Sequence, residues 1–239
     1  FPMIFFLIKK KLSFNLILSL IVLFLFGLFQ AVVGWWMGKS GLSDDPQVSP
    51  YRLAFHLTNA IIILSILIWL TLNSWSSINM SFFPKNRLEI ILITTMFLIL
   101  ITIISGAFMA GTNAGQSFNT YPFMNDKLIP DDYFMEGYGI INFFENTVAI
   151  NFNHRRIATL TFVIIIILTL YLKYVSKLNK INLGLLLIFV LAILQFTLGI
   201  LTLLTNVKIV LASLHQLNST LLLTSVLFTY YLIKKERNS

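Results

Sequence analysis

The sequence has 239 residues, of which 57% are hydrophobic and only 11% are charged. This composition excludes a water-soluble globular protein, because too few charged side chains remain to cover its surface. The net charge of +8 does not indicate a nucleic-acid-binding protein, since the basic residues form short clusters between long apolar segments. Because the sequence has no cysteine, it has no disulfides, thiolate metal sites or cysteine nucleophiles.

The chain begins inside a short apolar segment, residues 1–8, which three lysines follow. A signal peptide carries its basic residues before the apolar segment, so this pattern does not indicate one. We interpret residues 1–8 as the end of a transmembrane helix and expect the chain to be a fragment of a longer protein.

Six later segments are long and apolar enough to span a membrane, which requires about 20 helical residues. They cover approximately residues 14–37, 51–73, 88–110, 148–172, 182–205 and 208–233. Backbone polar groups in lipid must be satisfied internally, which restricts the spans to helices or a closed barrel. Barrel strands alternate polar and apolar residues, whereas these segments contain continuous apolar runs. The predicted fold is therefore an all-α, polytopic membrane protein.

The basic residues also predict the orientation of the chain. One side of the predicted membrane carries eleven of the 17 lysines and arginines, namely Lys9, Lys10, Lys11, Lys85, Arg87, Lys173, Lys177, Lys180, Lys234, Lys235 and Arg237. The long loop 111–147 lies on the other side and is acidic. By the positive-inside rule the first side is cytoplasmic or its equivalent, and the loop is external.

One pattern, Gln-x-x-x-Gly followed by His-x-x-Asn, occurs twice. The copies comprise Gln30, Gly34, His56 and Asn59, and Gln195, Gly199, His215 and Asn218. The Gln-to-His spacings differ by six residues, which an insertion in a loop explains. The pattern predicts a duplicated helix pair and, from it, duplicated four-helix bundles.

The duplication predicts two domains. Residues 1–87 form the back half of an N-terminal transmembrane bundle, with the end of one helix and two spanning helices. Residues 88–239 form a complete C-terminal four-helix transmembrane bundle with the long external loop 111–147. The first bundle then lacks its front half, which agrees with the abrupt start of the chain.

The three histidines are the candidate site residues. His56, His154 and His215 each lie a few residues inside a predicted helix from the external side, at similar depth. Polar side chains within a membrane usually face a bundle interior, a cavity or a partner. In a sequential four-helix bundle the second and fourth helices are diagonal, so His154 and His215 are expected to face each other. Two imidazoles in this arrangement are typical of the axial ligands of haem iron.

Other interpretations stay open. A single histidine can simply hydrogen-bond a neighbouring helix, which applies most to His56 because its expected partner helix precedes the sequence. Zinc is disfavoured, since no carboxylate or thiolate lies at matching depth. Arg155 and Arg156, next to His154, suit either haem propionates or lipid phosphates. A membrane cytochrome b and a transporter with histidine proton relays are alternatives to an enzyme.

Several motifs, taken in order, resemble the haem A synthase family. They are GWWM at 34–37, SGL at 40–42, VSPYRLAFH at 48–56, GAFMAG at 106–111, AG at 114–115, NTYP at 119–122, NFNHR at 151–155 and LHQ at 214–216. The resemblance runs from end to end of the chain, and the motifs are specific as a set rather than singly.

The resemblance implies an eight-helix membrane oxidoreductase that oxidises the C8 methyl group of haem O to the formyl group of haem A for cytochrome c oxidase. It implies a haem b cofactor with His154 and His215 as axial iron ligands, and a substrate haem whose iron His56 binds. The family's second substrate-site histidine and an acidic residue implicated in catalysis would precede Phe1. No catalytic acid or base is therefore assigned, and the activity of the fragment is left open.

The resemblance also implies the surroundings of the protein. Its partners are the substrate haem O, the lipid membrane, haem O synthase and cytochrome oxidase assembly factors, without nucleic acid. Since no transit segment is visible, we expect a bacterial inner membrane rather than a mitochondrial inner membrane. The alternative function is a membrane cytochrome b that only transfers electrons.

Overall fold

A computed structural model describes residues 2–41, 47–76, 80–176 and 179–238. Its helices are α1 (Pro2–Ile8), α2 (Phe14–Gly38), α3 (Pro50–Trp75), α4 (Arg87–Gly111), α5 (Asn142–Glu145), α6 (Thr147–Val175), α7 (Asn182–Leu204) and α8 (Ile209–Asn238). Six of them, α2, α3, α4, α6, α7 and α8, are long and apolar enough to cross a membrane. The all-α, polytopic prediction is confirmed. Leu42 and Lys177, used above in a motif and in the orientation, lie outside the described residues.

The spanning helices begin at residues suited to satisfy the free N–H groups of a first turn. The side chains of Ser13, Asn86 and Asn146 accept hydrogen bonds from first-turn N–H groups of α2, α4 and α6. Pro50 is the first residue of α3, where the missing N–H carries no cost. The predicted helix starts are within two residues of these positions because apolar runs and capping signals coincide.

Four helices form a closed ring. α4 packs against α6, α6 against α7, α7 against α8, and α8 against α4. Their facing side chains make an apolar core that includes Ile99, Ile103, Ile165, Ile188 and Val226. In this ring α6 and α8 are diagonal, which is the relation expected for the helices that carry His154 and His215.

The α2–α3 pair lies beside this ring. α3 packs against α4 and α8, whereas α2 packs against α3. Val33 is the one buried residue of α2, so most of its apolar surface is exposed. The division of the chain into two duplicated bundles stays a prediction.

Buried charges close the ring at the end opposite loop 111–147. The carboxylate of Glu89 on α4 pairs with Lys234 on α8 at 3.3 Å and also with Arg237. The side chains of Glu89 and Lys234 are 0% and 1% exposed, and Lys234 also donates to the carbonyl of Phe83 at 2.5 Å. These bonds tie the start of α4 to the end of α8.

Candidate functional site

His154 lies on α6 and its ring meets α4. Its Nδ1 is 2.8 Å from the Ser105 hydroxyl, which itself donates to the carbonyl of Thr102 at 2.8 Å. A Cβ atom on Gly106 would lie only 3.3 Å from Cε1 of the ring. The ring therefore occupies space that the glycine leaves open.

His215 lies on α8 and its ring meets α7. The amide nitrogen of Gln195 is 3.2 Å from Nδ1 and 3.4 Å from Nε2 of the imidazole. Asn218, one helical turn after His215, donates to the side-chain oxygen Oε1 of Gln195 at 2.8 Å. A Cβ atom on Gly199 would lie 2.9 Å from Cε1 of His215, so only glycine leaves room for the ring in this position.

His56 repeats this arrangement on the α2–α3 pair. The Gln30 amide nitrogen is 3.1 Å from Nε2 of His56, and Asn59 donates to the Gln30 oxygen at 2.5 Å. A Cβ atom on Gly34 would lie 3.0 Å from Cε1 of the ring. Nδ1 of His56 is buried without a hydrogen bond. His56 forms these contacts with α2, away from the helices that contact the other two histidines.

The glycines and glutamines are site residues that sequence analysis treated only as markers of a repeat. Residues four apart in a helix share one face, so Gln30 and Gly34 meet the same histidine, as do Gln195 and Gly199. The spacing of four residues between the glutamine and the glycine was therefore the sequence signal for these site residues. The partner of each pair became clear only when the helices were packed.

The diagonal helices α6 and α8 direct His154 and His215 toward the ring of helices. Each imidazole lies against a helix that packs beside both α6 and α8. This helix is α4 for His154 and α7 for His215. Nearby, Phe162 on α6 stacks on Phe196 on α7, with ring centroids 4.4 Å apart. Both imidazoles are partly buried.

The available donors fit a haem better than a bare metal ion. Among the residues that the structure describes, no three His, Asp or Glu side chains converge on one point, as a tetrahedral zinc site requires. Nε2 of His154 takes part in no hydrogen bond within the described ranges, and its lone pair is therefore available to a metal. Two imidazoles from diagonal helices match the donor set of a six-coordinate haem.

Side chains at the start of α6 hold the long loop over this end of the ring. Arg155, which is buried, donates to the carbonyls of Phe118 at 2.7 Å and Thr120 at 2.9 Å. Asn151 donates to the carbonyl of Ala114 at 2.7 Å, and Arg156 to that of Leu128 at 2.9 Å. The two arginines thus bind the loop backbone, a role that sequence analysis did not consider.

Comparisons with known proteins agree with the motif resemblance. A model of the COX15-CtaA family, described as cytochrome oxidase assembly protein, matches residues 1–227. "Heme A synthase" of Wolbachia pipientis wMel is 35% identical over 243 residues, which cover 100% of this chain and 66% of the relative. "Heme A synthase" of Nitrosospira multiformis is 35% identical over 237 residues, with coverages of 98% and 67%.

A plant relative extends the comparison. "Heme A synthase COX15" of Arabidopsis thaliana is 35% identical over 255 residues, which cover 98% of this chain and 54% of the relative. The chain therefore spans about two thirds of the length of the two bacterial relatives and about half of the plant protein. The matches confirm the resemblance that the motifs indicated. The chain belongs to the COX15-CtaA family of cytochrome oxidase assembly proteins.

Proposed function

We propose that this chain is part of a haem A synthase, a membrane oxidoreductase that oxidises the C8 methyl group of haem O to the formyl group of haem A for cytochrome c oxidase. The observation that carries the proposal is the pair of imidazoles on diagonal helices, His154 on α6 and His215 on α8, in a chain whose relatives bear that name. The same pair without the family would equally suit a membrane cytochrome b.

His154 and His215 are the residues that would hold the proposed haem b cofactor. A haem held by both imidazoles would supply one-electron transfer. The glycines at 106 and 199 leave room for the two rings. Arg155 and Asn151 hold the loop over the same end of the ring.

His56 is the proposed iron ligand of the substrate haem O. Its contacts with Gln30 and Gly34 match those of His215 with Gln195 and Gly199, and its buried Nδ1 has no partner. Electron relay and substrate oxidation would then occupy different helix pairs. The proposed setting is a bacterial inner membrane, with haem O synthase and cytochrome oxidase assembly factors as partners.

The visible spectrum of the purified chain tests the haem site. We expect a six-coordinate, low-spin haem b that is lost in His154→Ala and in His215→Ala and retained in His56→Ala. A folded wild-type chain that is colourless after growth with haem would eliminate the site. Circular dichroism of each variant separates the loss of haem from the loss of fold.

Product analysis tests the enzyme against the electron-transfer alternative. Haem O is supplied to membranes that contain the full-length protein, and the extracted pigment is examined for the formyl product. Formation of haem A supports the proposed reaction. Haem b binding without any formyl product would leave the membrane cytochrome b as the function.

A further inference from the structure

The outward face of α6 carries a stripe of exposed apolar side chains. They recur at intervals of three and four residues, which is the spacing of one helix face. The exposed side chains are Leu160, Val163, Ile167, Leu170 and Tyr174. Because α6 is long and apolar enough to cross a membrane, this stripe is its lipid-facing surface. The same spacing, continued toward the start of α6, places Arg156 and Asn153 on this face.

Loop 111–147 lies across this outward face at the start of α6. Tyr133 donates a hydrogen bond to Oδ1 of Asn153 at 2.9 Å. Arg156 donates to the carbonyl of Leu128, also at 2.9 Å. The ring of Tyr133 packs on Phe152, with centroids 4.9 Å apart, and the Arg156 guanidinium lies 4.9 Å from the centre of the same Phe152 ring. This part of the loop is therefore held on the outer side of the helix.

The contact between loop and helix lies at the depth of the membrane boundary. α6 has 29 residues and is about 43 Å long at 1.5 Å per residue. The hydrocarbon core of a bilayer is about 30 Å thick, which corresponds to about 20 helical residues. Lys173, the basic residue in the last turn of α6, marks one boundary of that core. About 20 residues before Lys173, the other boundary falls near Asn153, to which Tyr133 is bonded.

Large apolar side chains of the loop are exposed beside this contact. Phe134, which follows Tyr133, is 70% exposed, and its ring centroid lies 6.2 Å from that of Phe143. Ile140 is 76% exposed and precedes Phe143 by three residues in consecutive helical turns, so the two lie on one side. With the exposed Leu128 and Ile129, these three residues form what we call the loop patch. Contiguous exposed apolar surface of this kind marks an interaction site.

The charge of the segment indicates which lipid the patch suits. Residues 128–144 contain no lysine or arginine and three acidic residues, Asp131, Asp132 and Glu136. Asp131 pairs with the neighbouring Lys127. Anionic lipids attract basic segments, so this acidic segment does not suit them. Aromatic and aliphatic side chains at the boundary instead bind a zwitterionic lipid surface through burial of apolar area.

We propose that the loop patch is a membrane-contact surface that inserts its apolar side chains between the head groups and acyl chains of zwitterionic lipid. The patch continues the lipid-facing stripe of α6 beyond the end of the hydrocarbon core. The inner face of the same helix holds the loop through Asn151 and Arg155, so the loop joins the lipid surface to the end of the ring that carries His154. This role is separate from haem binding and goes beyond the proposed function.

Single-cysteine variants test the contact cleanly, because the chain has no cysteine of its own. A nitroxide spin label is attached to Phe134→Cys or to Ile140→Cys in the full chain, which is reconstituted into phosphatidylcholine vesicles. Power-saturation electron paramagnetic resonance compares collisions of the label with oxygen, which concentrates in lipid, and with a water-soluble nickel complex. We expect oxygen collisions to exceed nickel collisions severalfold at both positions. Because both side chains are exposed, the second position remains informative if the first variant does not fold.

Two further positions calibrate the measurement. Leu160→Cys places the label on the lipid-facing stripe of α6, at a residue that is 60% exposed, and should give the ratio typical of lipid. Gln116→Cys places it at an exposed polar position of the same loop, where nickel collisions should dominate.

Two results would overturn the membrane contact. Nickel collisions that dominate at 134 and 140, as at Gln116, would show that the patch faces water. Few collisions with either reagent would show that protein covers the patch. Both results are independent of the haem spectrum, so the membrane contact and the haem site can fail separately.

Discussion

The α2–α3 pair and the α7–α8 pair contain the same four residue types but lie in different surroundings. In both pairs a glutamine amide meets the histidine ring, an asparagine holds the glutamine, and a glycine leaves room for the ring. The α7–α8 pair is part of a closed ring with α4 and α6, whereas α2 packs against α3 and exposes most of its surface. The local sequence therefore builds the surroundings of the histidine in both pairs, and only the α7–α8 pair has a diagonal helix, α6, that carries the proposed second ligand.

The largest effect is expected when the buried ion pair that closes the helix ring is removed. Glu89→Gln leaves Lys234 buried without its carboxylate partner, so the free energy of unfolding should fall by about 3 to 5 kcal/mol. Denaturant unfolding of the detergent-solubilised chain measures it. Lys180→Gln is the matched control, because its pair with Glu236 is exposed and should contribute less than about 1 kcal/mol. Equal losses in the two variants would contradict a ring closed by buried charge.

Alanine at the two cradle glycines compares the pairs directly. In Gly199→Ala the new methyl group would lie 2.9 Å from the His215 ring, and the displaced imidazole should weaken haem b binding about tenfold or more. Gly34→Ala crowds His56 to a similar degree, at 3.0 Å, yet should leave haem b binding unchanged. Haem titration of each variant gives the affinity.

Gly27→Ala serves as the control for both substitutions. No atom lies within 4 Å of the added methyl group, and alanine favours the helix, so stability should rise slightly without an effect on haem. If Gly34→Ala removed haem b as completely as Gly199→Ala, the two pairs would not differ in the way proposed.

Ser105 distinguishes His154, the proposed ligand on α6, from the two repeated histidines. Ser105→Ala removes the acceptor of the His154 N–H, so the affinity for haem b should fall about tenfold. Because the donated N–H also makes the ligand more basic, the reduction potential should rise. Ser105→Thr keeps the hydroxyl and should restore both values. An unchanged affinity and potential in the alanine variant would show that the hydroxyl does not orient the ring.

The smallest expected effect separates the two asparagines. Asn218 donates to both Leu191 and Gln195, whereas within the described residues the side chain of Asn59 donates only to Gln30. Asn218→Ala should therefore lower the free energy of unfolding by about 1 kcal/mol more than Asn59→Ala, since one more hydrogen bond is lost. Thermal unfolding of the two variants under identical conditions provides the comparison. The reverse order would mean that the repeated clusters do not have the hydrogen bonds described above.

The sequence by itself determined the helices and the candidate ligands. Backbone groups in lipid must form internal hydrogen bonds, because no water is there to bind them. The six spanning helices therefore followed from the composition and length of the apolar segments. Three intramembrane histidines at similar depth marked the site for the same reason, because polar groups there are costly. The repeat and the family motifs needed only residue identity and spacing.

Only the tertiary structure decided what each histidine touches. The residue types alone do not show that the Ser105 hydroxyl lies 2.8 Å from Nδ1 of His154, or that the Gln195 amide lies against the ring of His215. Those contacts depend on distances of about 3 Å between side chains on different helices, which no spacing along one helix encodes. Likewise the loop contacts of Arg155 and the buried partners of Glu89 join residues far apart in the chain, and only packing brings them together.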